Sequence, residues 1–178
     1  MSLISDRSET CFFPLNVLAY PLILASFEQD TMRLILQRTT GAEVWIDRRQ
    51  HSATGPGLLI LFGTKHGDRE ESCAFLADKA INLRIFEDKD EKMNLSAIDV
   101  GAQIMVVSQF TLYADCRKGR RPGFSEAMAP AEAEKLYERF VQMVAASGLV
   151  TQTGVFGAKM DVRFANHGPV TIILDHDV

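Results

Sequence analysis

Cysteine is scarce in this chain: Cys11, Cys73 and Cys116 are widely spaced and odd in number. That excludes a disulfide framework and a Cys-x-x-Cys pair, and it suits a reducing cytoplasm. A long apolar run is also missing. The nearest approach, Cys11 to Phe27, is broken by Pro14, Asn16 and Pro21, whereas a bilayer helix needs ~20 mostly apolar residues. A signal peptide wants a basic leader, and here Arg7 lies between Asp6 and Glu9. No membrane partner is expected. Basic excess is absent too. The net charge is −4, and beyond Thr31 the chain carries 18 bases against 19 acids, so any RNA contact must come from a local patch. Common catalytic patterns are missing as well: no Gly-x-Ser-x-Gly elbow, no P-loop and no His-Glu-x-x-His. The four histidines, His51, His66, His167 and His176, have no metal-ligand spacing. Neither a metal nor a side-chain triad is expected.

What is present is a chain of 178 residues with 47% hydrophobic content, enough for one domain with a substantial core. A clean strand pattern opens at Met32. Residues 1–31 are expected to be an N-terminal extension, either disordered or ahead of the true start, and residues 32–178 the folded domain. The alternation in Arg33–Arg38 and Ala42–Asp47, with Gly41 between, predicts a hairpin. A polar stretch to Ser52 and the turn Gly55-Pro56-Gly57 lead to an apolar strand, Leu58–Phe62. Helical spacing of Ala74, Phe75, Ala77, Ala80, Ile81 and Leu83 predicts a helix over 69–83, with Asp68 as a cap and Glu70 and Glu71 suited to its dipole. Arg84–Phe86 reads as a short strand, Asp88–Lys92 as a turn, and Ile104–Phe110 as a central strand. A second helix is expected over 130–146, with Pro130 in its first turn and Gly148 past its end. Three short strands, near 151–156, 160–165 and 170–174, complete an α/β reading.

Three segments can carry chemistry. Ser108-Gln109-Phe110-Thr111 places polar groups where the central strand ends. They either cap local backbone or face a ligand, and amide groups at such a bend can form an oxyanion site. Arg117-Lys118-Gly119-Arg120-Arg121 carries four cations in five positions, either as a solvated loop or as a phosphate-binding patch. Asn166-His167-Gly168-Pro169-Val170-Thr171 puts a Gly-Pro at what reads as a strand mouth. Proline has no N–H, so the pair marks a plain turn or leaves carbonyls free for a ligand. His66, beside Gly67 and Asp68, reads as a helix-entry residue more naturally than as a base. Cys116 lies near the polar segment without a partner that would activate it.

Taken in order, Leu36–Arg38, Asn82–Phe86, Lys92–Ser96, Ser108–Asp115, Phe156–Met160 and Asn166–Thr171 closely resemble the D-aminoacyl-tRNA deacylase family, over Met32 to about Asp175. The resemblance implies a mixed-sheet, barrel-like single domain with two main helices, a cytoplasmic homodimer with sites at its interface, tRNA as partner, and no cofactor. It implies that Gly168-Pro169 is cis and crosses into the partner's site as a chirality filter against L-aminoacyl groups. Arg38 matches the arginine that orients it, with Asn166 in the same motif. Ser108, Gln109, Phe110 and Thr111 match the catalytic pocket segment, and Phe156, Gly157 and Met160 its other wall. Arg117, Lys118, Arg120 and Arg121 are expected to contact tRNA phosphates.

The implied activity is hydrolysis of the D-aminoacyl-tRNA ester. Glycine has no side chain to reject, so glycyl-tRNA mischarged on tRNA-Ala is an expected second substrate. An aminoacyl ester is already activated, so positioning and oxyanion stabilisation suffice without a strong base. The family's tRNA 2′-hydroxyl is thought to assist water attack; covalent attack by Thr111 is the competing idea, and no base accompanies it. The sequence departs from the family pattern at Gly123, where serine is usual, at His167, where a small acidic residue is common, and in the N-terminal extension. The rival to an enzyme is an RNA-binding module that uses the 117–121 loop, with the Gly-Pro only shaping a turn.

Overall fold

The computed structural model describes residues 31–177, so the expectation for residues 1–30 lies outside the described residues. The first strand, β1 (Thr31–Ile46), turns back through Asp47 and Arg48 into β2 (Arg49–Thr54), followed by β3 (Gly57–Gly63) and the helix α1 (Glu70–Asn82). A small hairpin, β4 (Phe86–Glu87) and β5 (Met93–Leu95), precedes β6 (Gln103–Ser108). A 3-10 helix (Phe110–Tyr113), the helix α2 (Pro130–Ala145), β7 (Thr151–Thr153) and the long β8 (Asp161–Asp177) complete the chain.

One mixed sheet organises the molecule. β8 runs antiparallel along one edge of β1, while β3 and then β2 pair antiparallel along the other. β6 lies parallel to β3, and β7 parallel to β6. The Ser52 hydroxyl on β2 donates to the Thr153 carbonyl on β7 at 2.7 Å. This contact draws the ends of the path together and leaves the sheet nearly closed.

Strand alternation divides the core in two. Leu58, Ile60, Phe62, Ile104 and Val106 face the helices, and Leu59, Met105 and Val107 pack on the other face with Ala42 and Val44. From α2, Phe140 packs against Phe62 at 4.9 Å between ring centroids, and the Tyr137 hydroxyl donates to the Val106 carbonyl at 2.9 Å. Each fully buried side chain of this size contributes roughly 1.5–3 kcal/mol by leaving water. The two helices are therefore held by their apolar stripes across the sheet.

The helix expectations agree with the structure to within one residue at each end. Several strand expectations do not: the short strand expected over Arg84–Phe86 is Phe86–Glu87, and the one near 151–156 is Thr151–Thr153. Gly41 does not break a hairpin, because β1 runs straight through it; the turn is at Asp47 and Arg48, both with positive φ (49° and 65°), as a two-residue hairpin loop requires. The polar stretch to Ser52 is strand β2, polar because most of it is exposed. The last two expected strands are one, β8, which continues across the Gly-Pro. Asp68 does not cap α1. Its Oδ2 accepts the Lys65 amide at 2.8 Å, and Arg69 occupies the cap position without a side-chain bond.

Candidate active site

β6 ends at Ser108, and the Gln109 amide donates to the Phe62 carbonyl at 2.7 Å before the chain winds into the 3-10 helix. Gly63 permits that packing. A Cβ there would lie 3.1 Å from the Gln109 carbonyl oxygen and from Leu112, closer than side chains normally approach. Central strand and polar turn are thus set by one glycine on the neighbouring strand.

A pocket of about 770 Å³ opens beside this turn. Ser108, Gln109 and Phe110 form one wall, and Phe156, Gly157 and Met160 the other, so residues nearly fifty positions apart meet here. Met160 is held in place: its Sδ accepts the Val155 amide at 3.4 Å, and a Cβ on Gly154 would sit 2.6 Å from that sulfur. Phe110, more than half exposed, meets the Phe124 ring edge-on at 5.0 Å, which puts two aromatic rings at the pocket. Thr111 is not among the lining residues; it is exposed on the 3-10 helix, and the Gln109 side-chain amide donates to its hydroxyl.

Sequence reasoning missed Phe124, Ser125, Met128 and the start of α2 as pocket walls. Only Phe124 had a local signal, the Arg-Pro-x-Phe segment. His66, read as a helix-entry residue, also lines the pocket. Among the described residues it is the one ionisable side chain in the lining; no carboxylate or thiol lines the pocket. Cys116 lies in a neighbouring cleft and is exposed, while burial pushes the Cys73 thiol up to about 12.

Gly168 and Pro169 are elsewhere. They lie within β8, not at a strand mouth, and their peptide bond is cis. Thr39 pairs with Asn166 and Gln37 with Thr171, so residues 167–170 bulge opposite Arg38 alone. The bulge answers proline's missing donor by leaving the ladder. Arg38, only 4% exposed, braces it from behind. Its Nε donates to the His167 carbonyl at 3.0 Å, Nη1 to the Ile85 carbonyl at 2.8 Å and Nη2 to the Glu87 carboxylate at 2.8 Å. A guanidinium so buried is costly unless paired and hydrogen-bonded, and these three acceptors, one of them a carboxylate, offset that cost. The Asn166 side chain accepts the Val170 amide at 2.7 Å and donates to the Thr171 hydroxyl at 2.9 Å. Gly168 and Pro169 themselves are exposed and do not line the pocket of their own chain.

The basic loop is pinned at its base, where Asp115 and Gly123 exchange two main-chain hydrogen bonds of 2.8 and 2.9 Å. Arg117 turns back to pair with Asp115 at 2.8 Å and Glu126 at 3.4 Å. Its hydrogen bonds hold the Asp115 carboxyl down at about 2. Lys118, Arg120 and Arg121 are exposed and take part in none of the ion pairs among the described residues.

Comparison with solved structures defines the class of fold. A structure titled "c-Myc DNA Unwinding Element Binding Protein" superposes with a TM-score of 0.77 at 36% identity, covering 83% of this chain and all of that one. A second, titled as a probable eukaryotic D-amino acid tRNA deacylase, superposes at 0.71 and, at 19% identity, shows the fold alone. The class is a single-domain α/β protein with a nearly closed mixed sheet and, among the described residues, three helices, one of them 3-10. The family profile described as D-Tyr-tRNA(Tyr) deacylase matches residues 35–175, and the chain belongs to that family. Curated relatives named D-aminoacyl-tRNA deacylase include those of Bacillus licheniformis, 51% identical over 144 residues, and Thermomicrobium roseum, 53% identical over the same length. Each alignment covers 81% of this chain, with 98% and 94% of the respective relatives. No helix among the described residues is long and apolar enough to cross a membrane.

Proposed function

We propose that this chain is a D-aminoacyl-tRNA deacylase, a hydrolase of the ester that joins a D-amino acid to tRNA, and that the Gly168-Pro169 bulge is its chirality filter. The observation that carries the reading is the bulge's position. It is braced from behind by Arg38 and Asn166, exposed in front, and outside the pocket of its own chain. A rigid main-chain projection of this kind fits the pocket of a second copy, so the working unit is a cytoplasmic homodimer with two composite sites. Main chain cannot repack as a side chain does, which suits it to reject an L side chain. Glycine passes such a filter, which makes glycyl-tRNA-Ala a second substrate.

The 3′-terminal adenosine stacks on the aromatic pair Phe110 and Phe124, against the wall formed by Phe156, Gly157 and Met160. Water attacks the ester carbonyl carbon, and the first amides of the 3-10 helix, which have no acceptor within the helix, stabilise the oxyanion. The bond from carbonyl carbon to the ribose 3′ oxygen then breaks. The water proton passes to that oxygen by way of the neighbouring 2′-hydroxyl, releasing the free amino acid and tRNA. Thr111, the candidate side-chain nucleophile, lies outside the pocket lining, which supports this substrate-assisted route over covalent attack by that residue. Lys118, Arg120 and Arg121 hold the tRNA backbone, with Arg117 bracing the loop.

Single-turnover deacylation of D-tyrosyl-, L-tyrosyl- and glycyl-tRNA tests the reading. Hydrolysis of the D and glycyl esters with the L ester spared is the expected result, and Thr111→Ala retains chemistry. Equal inertness toward all three would reject the enzyme in favour of an RNA-binding module.

A further inference from the structure

We propose that Glu87 is a positioning residue for the Gly168-Pro169 bulge, acting through the Arg38 guanidinium; the proposal rests on the filter reading above. Arg38 stands opposite the bulge and spends two of its three hydrogen bonds on one segment, at the Ile85 carbonyl and the Glu87 carboxylate. A guanidinium is a rigid planar fork. Fixing Nη1 and Nη2 to residues 85 and 87 therefore fixes the direction in which Nε reaches the His167 carbonyl, one residue before Gly168.

A second observation links Glu87 to the bulge more directly. The Nη2 atom held by Glu87 is also among the nearest atoms to Gly168: a Cβ built on that glycine would lie 2.8 Å from it. The Nη2 atom that Glu87 holds therefore lies beside the Gly168 backbone. Glu87 is the carboxylate paired with Arg38 among the described residues. Its own position is set by the β4–β5 hairpin, where it pairs with Met93. In the adjoining turn, Asp88 accepts the amides of Asp90 and Lys92. The Glu87 side chain is 46% exposed, so truncating it opens no cavity, and loss of positioning can be measured apart from loss of fold. The small hairpin thereby becomes part of the specificity apparatus, although it does not line the pocket.

The test compares wild type, Glu87→Ala and Glu87→Gln. Two readouts are used: single-turnover rates on D- and L-tyrosyl-tRNA, and solvent exchange of the Arg38 Nε–H followed by NMR in the substrate-free protein. Loss of one charge-assisted hydrogen bond converts to roughly a tenfold effect. Glu87→Ala should lower the D-to-L rate ratio about tenfold and speed Nε–H exchange by a similar factor. Glu87→Gln, which keeps an oxygen acceptor in place, should restore most of both. A wild-type ratio well above unity that Glu87→Ala leaves unchanged, with unchanged exchange, overturns the relay and leaves the filter standing. A wild type without D preference overturns the filter instead. The Nε–H exchange then decides the link from Glu87 to Arg38 by itself, faster exchange in Glu87→Ala supporting it and unchanged exchange rejecting it.

Discussion

Asn166 Oδ1 accepts the Val170 main-chain amide at 2.7 Å, so one side chain spans the Gly168-Pro169 pair from two residues before it to one residue after. Its amide nitrogen reaches on to the Thr171 hydroxyl. Asn166→Ala removes both bonds and leaves the amide of the buried Val170 without its partner. The expected cost is ~1–3 kcal/mol, read as a lowered midpoint in urea, together with a lower D-to-L rate ratio. Asn166→Asp keeps the acceptor for Val170 and should lose less on both measures.

Gly168 has φ of +126°, and a Cβ there would lie 2.8 Å from both Arg38 Nη2 and Val170 Cγ2. The Arg38 atom cannot swing aside freely, because the guanidinium is buried and each of its three nitrogens makes a hydrogen bond. Gly168→Ala should therefore destabilise the fold by about 1–3 kcal/mol and displace the bulge. Thermal melting and single-turnover hydrolysis of D-tyrosyl-tRNA check the two effects. Full D activity in a stably folded variant would contradict the importance of this backbone position.

Arg120 and Arg121 are exposed, unlike Arg117, which is tied to Asp115 and Glu126. Replacing both with alanine should weaken tRNA binding and reduce the slope of log affinity against log salt by ~1–2, as expected for losing up to two phosphate contacts. The D-to-L ratio should not change, since neither Arg120 nor Arg121 lines the pocket that the bulge of a second copy enters. Filter-binding titrations across a salt series give the slope.

Thiol labelling provides a check on the fold. Cys116 is exposed, whereas Cys73 is buried with its thiol raised to about 12 by desolvation. At pH 8 the folded protein should be labelled at Cys116 and spared at Cys73 until denaturant is added, as shown by peptide mass mapping. For Cys73 the folded value exceeds the ordinary 9.0. Its contribution to stability is complete below about pH 9 and declines as pH rises toward 12.

Helices were legible in the residues because their determinants are local. The spacing of Ala77, Ala80 and Ile81, Pro130 at the first turn and Gly148 beyond the end locate α1 and α2 almost to the residue. The apolar strands β3 and β6 were legible for the same reason, as were the polar residues at the end of β6. Strand continuity was not. Gly41 and Gly168-Pro169 carry the local marks of breaks, yet β1 and β8 run through them, because each strand pairs with the other on both sides of the irregularity and the ladder absorbs a bulge. Pairing is a long-range interaction that no window of sequence contains. The same limit applies to the site. Ser108 to Phe110 and Phe156 to Met160 could be named from the chain, but their meeting around one pocket depends on β6 and β7 lying side by side. The walls supplied by Met128 and the start of α2 carry no local signature. That Gly168-Pro169 lies outside that pocket, with Arg38 of β1 bonded to the adjoining His167 carbonyl, was decided by packing alone.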